Sequence, residues 1–188
     1  MKGGLIILAV LIVAALIFGG QLISGRNALV TQRNQIDAKW AQVDNDLKRR
    51  ADLIPNLVET VKGFAKQEQT VIAEVTNARA ALLGARTRQE EINANTQLSG
   101  ALGRLLVLQE NYPQLRSNEN FLRLQDELAG TENRIAVSRR DYNEAIRQFN
   151  TSVELFPRNI AASLFGFKRD DAYFKATEEE KRVPQVNF

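Results

Sequence analysis

Residues 29–64 read LVTQRNQIDAKWAQVDNDLKRRADLIPNLVETVKGF and place apolar residues at every third or fourth position. Continued to residue 82, this pattern forms two series in which successive members are seven residues apart. The two series are Leu29, Ile36, Val43, Arg50, Leu57, Phe64, Val71 and Ala78, and Arg33, Trp40, Leu47, Ile54, Val61, Glu68, Val75 and Leu82. Thirteen of these sixteen positions are apolar, which is typical of helices that pack along a seam as in a coiled coil.

A similar repeat lies in the C-terminal half of the chain. Its members are Phe121, Leu128, Ile135, Tyr142, Phe149 and Phe156. Proline and aromatic residues are scarce over the whole chain, which also favours helices over sheet. The sequence therefore predicts an all-α fold, in which an elongated antiparallel bundle of three to four long helices covers about 27–63, 67–110 and 117–155.

The turn after the first helix is predicted at Gly63. Lys62 would place a cation in the last helical turn, and a glycine commonly follows the end of a helix. The unbroken spacing of seven also permits the alternative of one helix that continues to about Leu83. We favour the turn.

Three further boundaries follow from local sequence. Gly84 and the polar run Arg86–Gln97 are expected to divide the second helix in two. Residues 112–118 are expected to form a loop, because the residue before a proline resists helix, and Asn118 suits a helix N-cap. Pro157 is expected to end the last long helix.

A membrane anchor is predicted before this bundle. Residues 3–25 carry no charge, and residues 5–18 are continuously apolar. A helix over residues 3–23 spans roughly 30 Å, the thickness of the hydrocarbon core of a bilayer. The stretch is longer than the apolar centre of a signal peptide and lacks a clear cleavage site, which favours a retained anchor. The side chains expected to meet lipid are those of Leu5, Leu8, Ile12, Leu16 and Phe18.

Charges beside this segment give a weak preference for its orientation. Lys2 and the α-amine precede it, whereas Arg26, Arg33 and Lys39 follow it. The excess of one positive charge favours a cytoplasmic C-terminal domain, with a periplasmic domain as the alternative. Within the anchor, Ala15 and Gly19 form a pair of small residues four apart that would let two helices approach closely, so a homo-oligomer is expected.

The domain organisation expected from these features has three parts. They are a transmembrane anchor at 1–25, an antiparallel helical bundle at 26–156, and a short amphipathic helix with a C-terminal tail at 157–188. In a three-helix path, residues 160–167 emerge at the end away from the bilayer and are expected to cover the open end of the bundle. The alternative is a helix in the membrane interface.

The residue types argue against catalysis. The chain contains no histidine and no cysteine, so the commonest general base, the soft metal ligands and the thiol nucleophile are all missing. We therefore expect no enzyme activity and no catalytic, cofactor-binding or metal-binding residues. The net charge is +3 with both signs interspersed, unlike the clustered basic residues of a nucleic-acid-binding protein.

Polar residues at two kinds of position are candidates for other roles. Arg50, Glu132 and Arg139 occupy seam positions, where buried polar groups commonly fix the register of packed helices. The alternative is a polar ligand bound inside the bundle. Asn56 and Glu59 lie off the seam, at positions where helix packing does not require a particular side chain. They are therefore candidates for contact with a partner or a second protomer.

Several longer blocks resemble one family. Residues 48–63 (KRRADLIPNLVETVKG), 110–121 (ENYPQLRSNENF), 124–135 (LQDELAGTENRI) and 140–143 (RDYN), with Phe156-Pro157 and Val186-Asn187-Phe188, resemble the LemA family of bacterial membrane proteins. Ala51 departs from the pattern, which has an aromatic residue there. The resemblance implies a single-pass protein of the bacterial inner membrane with a helical-bundle domain, in company with a membrane metalloprotease or TPM-domain proteins. It implies no reaction.

Two functional hypotheses follow. The first is a non-enzymatic scaffold, anchored in the membrane, that self-associates and docks partner proteins. The second is an adaptor or regulator of a membrane protease or envelope-stress pathway, in which a partner reads Val186, Phe188 and the terminal carboxylate as an added strand.

Overall fold

The computed structural model describes residues 2–175, and no strand occurs among them. The helices are α1 (Lys2–Phe64), α2 (Gln69–Gly84), α3 (Arg88–Val107), α4 (Pro113–Arg116), α5 (Glu119–Glu154) and α6 (Arg158–Phe165), and a 3-10 turn covers Leu108–Glu110. The predicted fold class is confirmed: one long helix with an apolar N-terminal part is followed by helices that pack together.

Helix α1 ends where the glycine signal placed its end. Its last residue is Phe64, one position beyond Gly63, and Lys62 lies in its last turn. Four residues separate it from α2. The turn is therefore confirmed, and the alternative of a continuous helix to about Leu83 is wrong.

The break between α2 and α3 is confirmed, but it is shorter than expected. Only residues 85–87 connect the two helices. The Thr87 hydroxyl accepts a hydrogen bond from the backbone N–H of Glu90, and the Glu90 carboxylate accepts one from the N–H of Thr87, each at 3.2 Å. This capping box starts α3, so most of the polar run Arg86–Gln97 belongs to that helix and does not interrupt one.

Helix α5 begins and ends near its predicted boundaries. The side chain of Asn118 caps it by accepting a hydrogen bond from the N–H of Phe121 at 3.0 Å. In the preceding segment Pro113 opens the four-residue helix α4, so this segment is partly helical. Helix α5 stops at Glu154, before Pro157. Because the helix ends first, Phe156 is 78% exposed, and its prediction as a seam residue is wrong.

The described residues divide into two compact units. The first unit comprises residues 2–40 and 141–173. In it the Trp40 and Tyr142 rings lie 5.0 Å apart, and Lys39 pairs with Asp141 at 3.1 Å. Its buried apolar residues are Leu29, Ile36, Tyr142, Ala145, Ile146, Phe149, Ala161 and Ala162.

The second unit comprises residues 41–140 and residues 174–175. Cross-helix contacts define an antiparallel arrangement of parts of α1, α2, α3 and α5. The contacts are those of Arg79 with Ala51, Arg104 with Glu74, Tyr112 with Glu68, and Ser138 with Asp46. Each helix thus returns along the one before it or along α1, which buries the seam residues between them.

This path changes the expected position of α6. Because α2 and α3 are two antiparallel passes, α5 returns along α1. In the first unit α6 consequently packs beside Gly25, where a Cβ atom would lie 3.2 Å from the Cβ of Ala161. The expectation that residues 160–167 cover the end of the bundle away from the anchor is wrong, because it assumed three passes.

Candidate functional site

The N-terminal part of α1 presents an uninterrupted apolar surface. One helix among the described residues is long and apolar enough to cross a membrane, and its most apolar window has no buried residue. The five side chains expected to meet lipid are all more than half exposed: Leu5, Leu8, Ile12, Leu16 and Phe18. In water such a surface would be unfavourable, and its length and composition are those of a helix that can cross a membrane.

The small-residue pair in this segment is uncovered. Ala15 is exposed, and no heavy atom lies within 4 Å of the position that a Cβ on Gly19 would take. The face is thus free for close approach by a second helix. Packing through Ala15 and Gly19 stays a prediction.

A charged residue lies inside the second unit. Arg50 is only 5% exposed. Its Nη1 donates hydrogen bonds to Asn95 Oδ1 and Ser99 Oγ, each at 3.0 Å, and lies 2.9 Å from Glu132 Oε2. Burial lowers the pKa of the Arg50 guanidinium, and the Glu132 carboxylate counteracts this effect. An arginine keeps its charge even so, and this cluster therefore pairs a buried cation through Nη1, while the buried Nε of Arg50 has no hydrogen-bond partner among the described residues.

The other two seam positions predicted to be buried polar groups differ from Arg50. The side chain of Glu132 is 45% exposed, so this carboxylate connects the buried arginine with solvent. Arg139 is half-buried, and its Cζ lies 4.9 Å from the centre of the Phe174 ring, a cation–π distance. The structure brings Arg50 and Glu132 together and places Arg139 over an aromatic ring.

Sequence reasoning missed two partners of this cluster. Asn95 and Ser99 belong to α3, and steps of three and four residues connect them with Ile92 and Leu102. That spacing places them on the stripe of buried residues of α3, and extending the apolar pattern through α3 would have found them. The pairing with Arg50, 45 and 49 residues away, has no local signal.

A second buried polar contact joins α1 and α5, the helices that carry Arg50 and Glu132. The Ser138 hydroxyl donates to Asp46 Oδ2 at 2.5 Å, and Gln42 Nε2 donates to the same oxygen at 3.4 Å. Asp46 is 6% exposed. Buried polar groups cost free energy unless they are hydrogen-bonded, and here the partner from α5 supplies the bond and so fixes its register against α1.

The proline inside α1 has a specific partner on α2. Pro55 has no N–H, so the carbonyl oxygen of Ala51, four residues earlier, lacks its helical donor. Arg79 Nε donates to that oxygen at 2.8 Å. Ala51 itself is fully buried. Arg79 thus replaces the hydrogen bond that the proline removes.

The off-seam candidates lie at the surface. Glu59 forms an exposed ion pair with Lys62 at 2.8 Å, and Asn56 is exposed. Both side chains are accessible to a partner or a second protomer, and that role stays a prediction. The other two contact candidates, Val186 and Phe188, lie outside the described residues.

One cavity of about 280 Å³ in the second unit contains charged side chains. Lys48 bonds Asp44 at 2.7 Å, which raises the pKa of the lysine. Burial raises the pKa of Glu91, and the nearby Asp44 adds to that effect. The part of the chain that the structure describes contains no group of three residues arranged to hold a metal ion. Two carboxylates and a lysine without a nucleophile do not make a recognisable catalytic set.

Helix α6 lies directly beside the end of the uncharged segment. Gly25 is the last residue of that segment and contacts Ala161. The guanidinium carbon of Arg26, the first charged residue after it, lies 5.6 Å from the centre of the Phe165 ring. The first unit therefore joins α6 to the point at which α1 stops being apolar.

Comparison with known proteins gives matches over most of the chain. The model of the LemA family matches residues 39–188. Magnetosome protein MamQ 1 of Paramagnetospirillum magneticum is 28% identical over 91% of this chain and 71% of its own length. Protein LemA of Metamycoplasma hominis is 23% identical over 83% of this chain and 71% of its own length. None of these descriptions names an enzymatic activity.

Proposed function

The chain belongs to the LemA family, and from this membership we propose that it is a non-enzymatic helical scaffold, anchored in the bacterial cell membrane, that self-associates and docks partner proteins. The observation that carries the proposal is the exposed apolar surface of residues 3–18 on the same helix that continues into both packed units. A surface of that length is matched by a bilayer. Beyond this segment, the two packed units have exposed polar side chains, and their described residues include no recognisable catalytic set.

The proposed anchor is a single span of the inner membrane. Its orientation is proposed from the charges of Arg26, Arg33 and Lys39, which favour a cytoplasmic position for the residues that follow. Tags placed at either terminus of the full chain, with proximity labelling in cells, would report the side of the membrane and the neighbouring proteins together. Labelling of periplasmic proteins by the C-terminal tag would overturn the proposed side.

Self-association is proposed through two surfaces. Ala15 and Gly19 would allow close helix approach within lipid, where packing at small residues is a main source of association. Asn56 and Glu59 are exposed polar groups on α1, outside the apolar segment. A partner such as a membrane metalloprotease or a TPM-domain protein is proposed from the family resemblance alone.

Amine-reactive crosslinking in native membranes tests self-association. The full chain should give a crosslinked oligomer, and replacing Ala15 and Gly19 with leucine should weaken it, because larger side chains separate the helices. Leu8→Val with Ile12→Val is the matched control, because it keeps the small-residue face and should leave the oligomer unchanged. A wild-type chain that stays monomeric at its working density would overturn the scaffold in this form.

A second candidate function rests on the C-terminal sequence. Residues 184–188 alternate apolar and polar side chains, which suits capture as an added strand by a partner groove. We propose this as the route by which an adaptor or regulator of membrane proteolysis would be recognised. Deleting residues 183–188 separates the two candidates: loss of partner capture with intact self-assembly favours the adaptor, and unchanged capture favours the scaffold.

A further inference from the structure

Exposed large apolar side chains are concentrated at the α5–α6 connection. Outside the uncharged N-terminal segment, the described residues include ten such side chains, and five of them fall within residues 155–165: Leu155, Phe156, Ile160, Leu164 and Phe165. The most exposed are Phe156 at 78% and Leu164 at 65%. Large apolar side chains exposed together in one short segment favour contact with a membrane or another molecule.

Helix α6 turns its small residues inward. Ala161 and Ala162 are its two buried residues, and Ala161 lies against Gly25. In a helix packed into a water-soluble core, by contrast, the large apolar side chains are usually buried as well. The small side chains let α6 approach α1 closely while the large ones stay outside.

Hydrogen bonds and ring contacts hold this segment in place at both ends. Arg158 donates to the Ser152 hydroxyl at 3.2 Å at the start of α6. At its end Gly166 adopts a φ of 74°, a left-handed conformation that suits glycine. The ring of Phe167 then packs on Phe149 with the ring centres 6.4 Å apart. The apolar side chains are thus presented by a fixed surface.

The position of that surface identifies its occupant. Gly25 ends the uncharged segment, and Arg26 lies 5.6 Å from the Phe165 ring. A helix leaves the hydrocarbon at its first charged residue, so Phe165 stands at the depth of the lipid headgroups. The exposed apolar side chains of α6 therefore lie beside the end of the uncharged segment of α1.

We propose that α6 and residues 155–156 lie in the interfacial layer of the bilayer that α1 crosses, with Phe156 and Leu164 inserted at the boundary between headgroups and acyl chains. This inference rests on the proposed anchoring of α1. Basic and acidic side chains both flank the segment, with Glu154 paired with Arg169 and with Asp170 and Asp171 following Lys168 and Arg169 in the sequence. Insertion is accordingly driven by apolar area and does not require anionic lipid.

Fluorescence quenching by lipid-attached quenchers tests this position, and the absence of cysteine makes single-cysteine variants simple to prepare. The full chain is reconstituted in phosphatidylcholine vesicles with an environment-sensitive fluorophore at Leu164→Cys or, separately, at Phe156→Cys. Both side chains are exposed, so neither substitution disturbs the core. A quencher near the glycerol backbone should reduce their emission at least about twofold more than that of a label at Gln35→Cys.

Two control positions separate the inference from the anchoring. Gln35 is an exposed residue of α1 about 15 Å beyond Gly25 at 1.5 Å per residue, and its label should stay accessible to water. A label at Ile12→Cys should be quenched by a probe deep in the acyl chains. If the Ile12 label is unquenched, the anchoring itself fails.

The inference alone is overturned by two results. The first is a quenched Ile12 label with unquenched labels at both Leu164 and Phe156, whether those labels are in water or are shielded by a second protein copy. The second is quenching at Leu164 that appears only when anionic lipid is added, because that result would make charge rather than apolar area the cause. Equal quenching in neutral and anionic vesicles supports it.

Discussion

The exposed apolar residues of the first unit and the buried arginine of the second unit reverse the usual placement of these residue types. Leu8 and Phe156 belong to the first unit and are more than half exposed, whereas Arg50 in the second unit is 5% exposed. Both arrangements are stable only with suitable surroundings. The apolar side chains need lipid as their solvent, and the guanidinium needs Asn95, Ser99 and Glu132 as partners.

Hydrophobicity alone therefore does not determine whether a side chain in this protein is buried or exposed. Helix α1 runs through both units, and the same helix exposes leucine in one part and buries arginine in another. What decides is whether each group finds suitable surroundings, which are the proposed lipid in the first case and hydrogen bonds and an ion pair in the second. Substitutions that remove those surroundings test the comparison.

The largest effect is expected from Tyr142→Lys in the first unit. Tyr142 is fully buried, with its ring 5.0 Å from that of Trp40, and a lysine there would bring a charge into the buried core of this unit. The free energy of unfolding should fall by more than about 4 kcal/mol. The single tryptophan reports this unit, so its fluorescence during unfolding of the full chain in detergent micelles measures the loss.

Gln148→Lys is the matched control for this prediction. Gln148 lies on the same helix and is exposed, so a lysine there should change the unfolding free energy by less than about 0.5 kcal/mol. A Tyr142→Lys protein that unfolds like its control would mean that the buried seam of α5 is misassigned.

The next effect is expected from Glu132→Gln in the second unit. This change keeps the shape of the side chain and removes the charge that faces Arg50, so the loss should be about 2–3 kcal/mol. Asp126→Asn, an exposed change on the same helix, should be near neutral. In an Arg50→Met background the cost of Glu132→Gln should nearly vanish, and an undiminished cost there would contradict the assigned pair.

A smaller loss is expected from Arg79→Met, which leaves the carbonyl of Ala51 without a donor. The free energy of unfolding should fall by about 1–2 kcal/mol. Adding Pro55→Ala should recover most of the loss, because an alanine at this position would supply the missing helical N–H. If Pro55→Ala rescues nothing, Arg79 acts through another contact.

The smallest effect concerns the pH dependence of Glu91. Burial and the charge of Asp44 raise its pKa above the ordinary 4.5, so the folded chain binds this proton more tightly than the unfolded chain. Its contribution therefore stabilises the protein as pH falls through the raised pKa and opposes folding above it. Glu91→Gln should raise stability at pH 7 by less than about 1 kcal/mol and flatten the pH dependence just above the ordinary pKa of 4.5. Glu110→Gln, an exposed change, should do neither.

Local signals in the sequence predicted the boundaries of the helices well. Gly63, Asn118 and Pro157 each mark an end or a start that the structure places within a few residues, because caps and proline act within one helical turn. The capping box at Thr87 was equally local. The polar residues that follow this capping box hide it, because a polar run is also typical of a connection between two helices.

The position of α6 could not be obtained in the same way. It depends on whether α2 and α3 form one helix or two antiparallel helices. Because the short connection at residues 85–87 reverses the chain direction once more, α6 follows an even number of long helices and lies beside Gly25. The partners of Arg50 are likewise 45 to 82 residues distant in sequence, and no local pattern encodes such a pairing. The periodicity of the sequence therefore does not determine which distant residues are in contact.

The pairing of Lys39 with Asp141 joins residues that are 102 positions apart. At about 5–20 residues per second, synthesis of the intervening chain takes about 5–20 s. During that interval Leu29 and Ile36 lack residues 141–173, which complete their compact unit. Every newly made copy therefore passes through a period of seconds in which its first helix can be captured by a chaperone or by a neighbouring nascent chain.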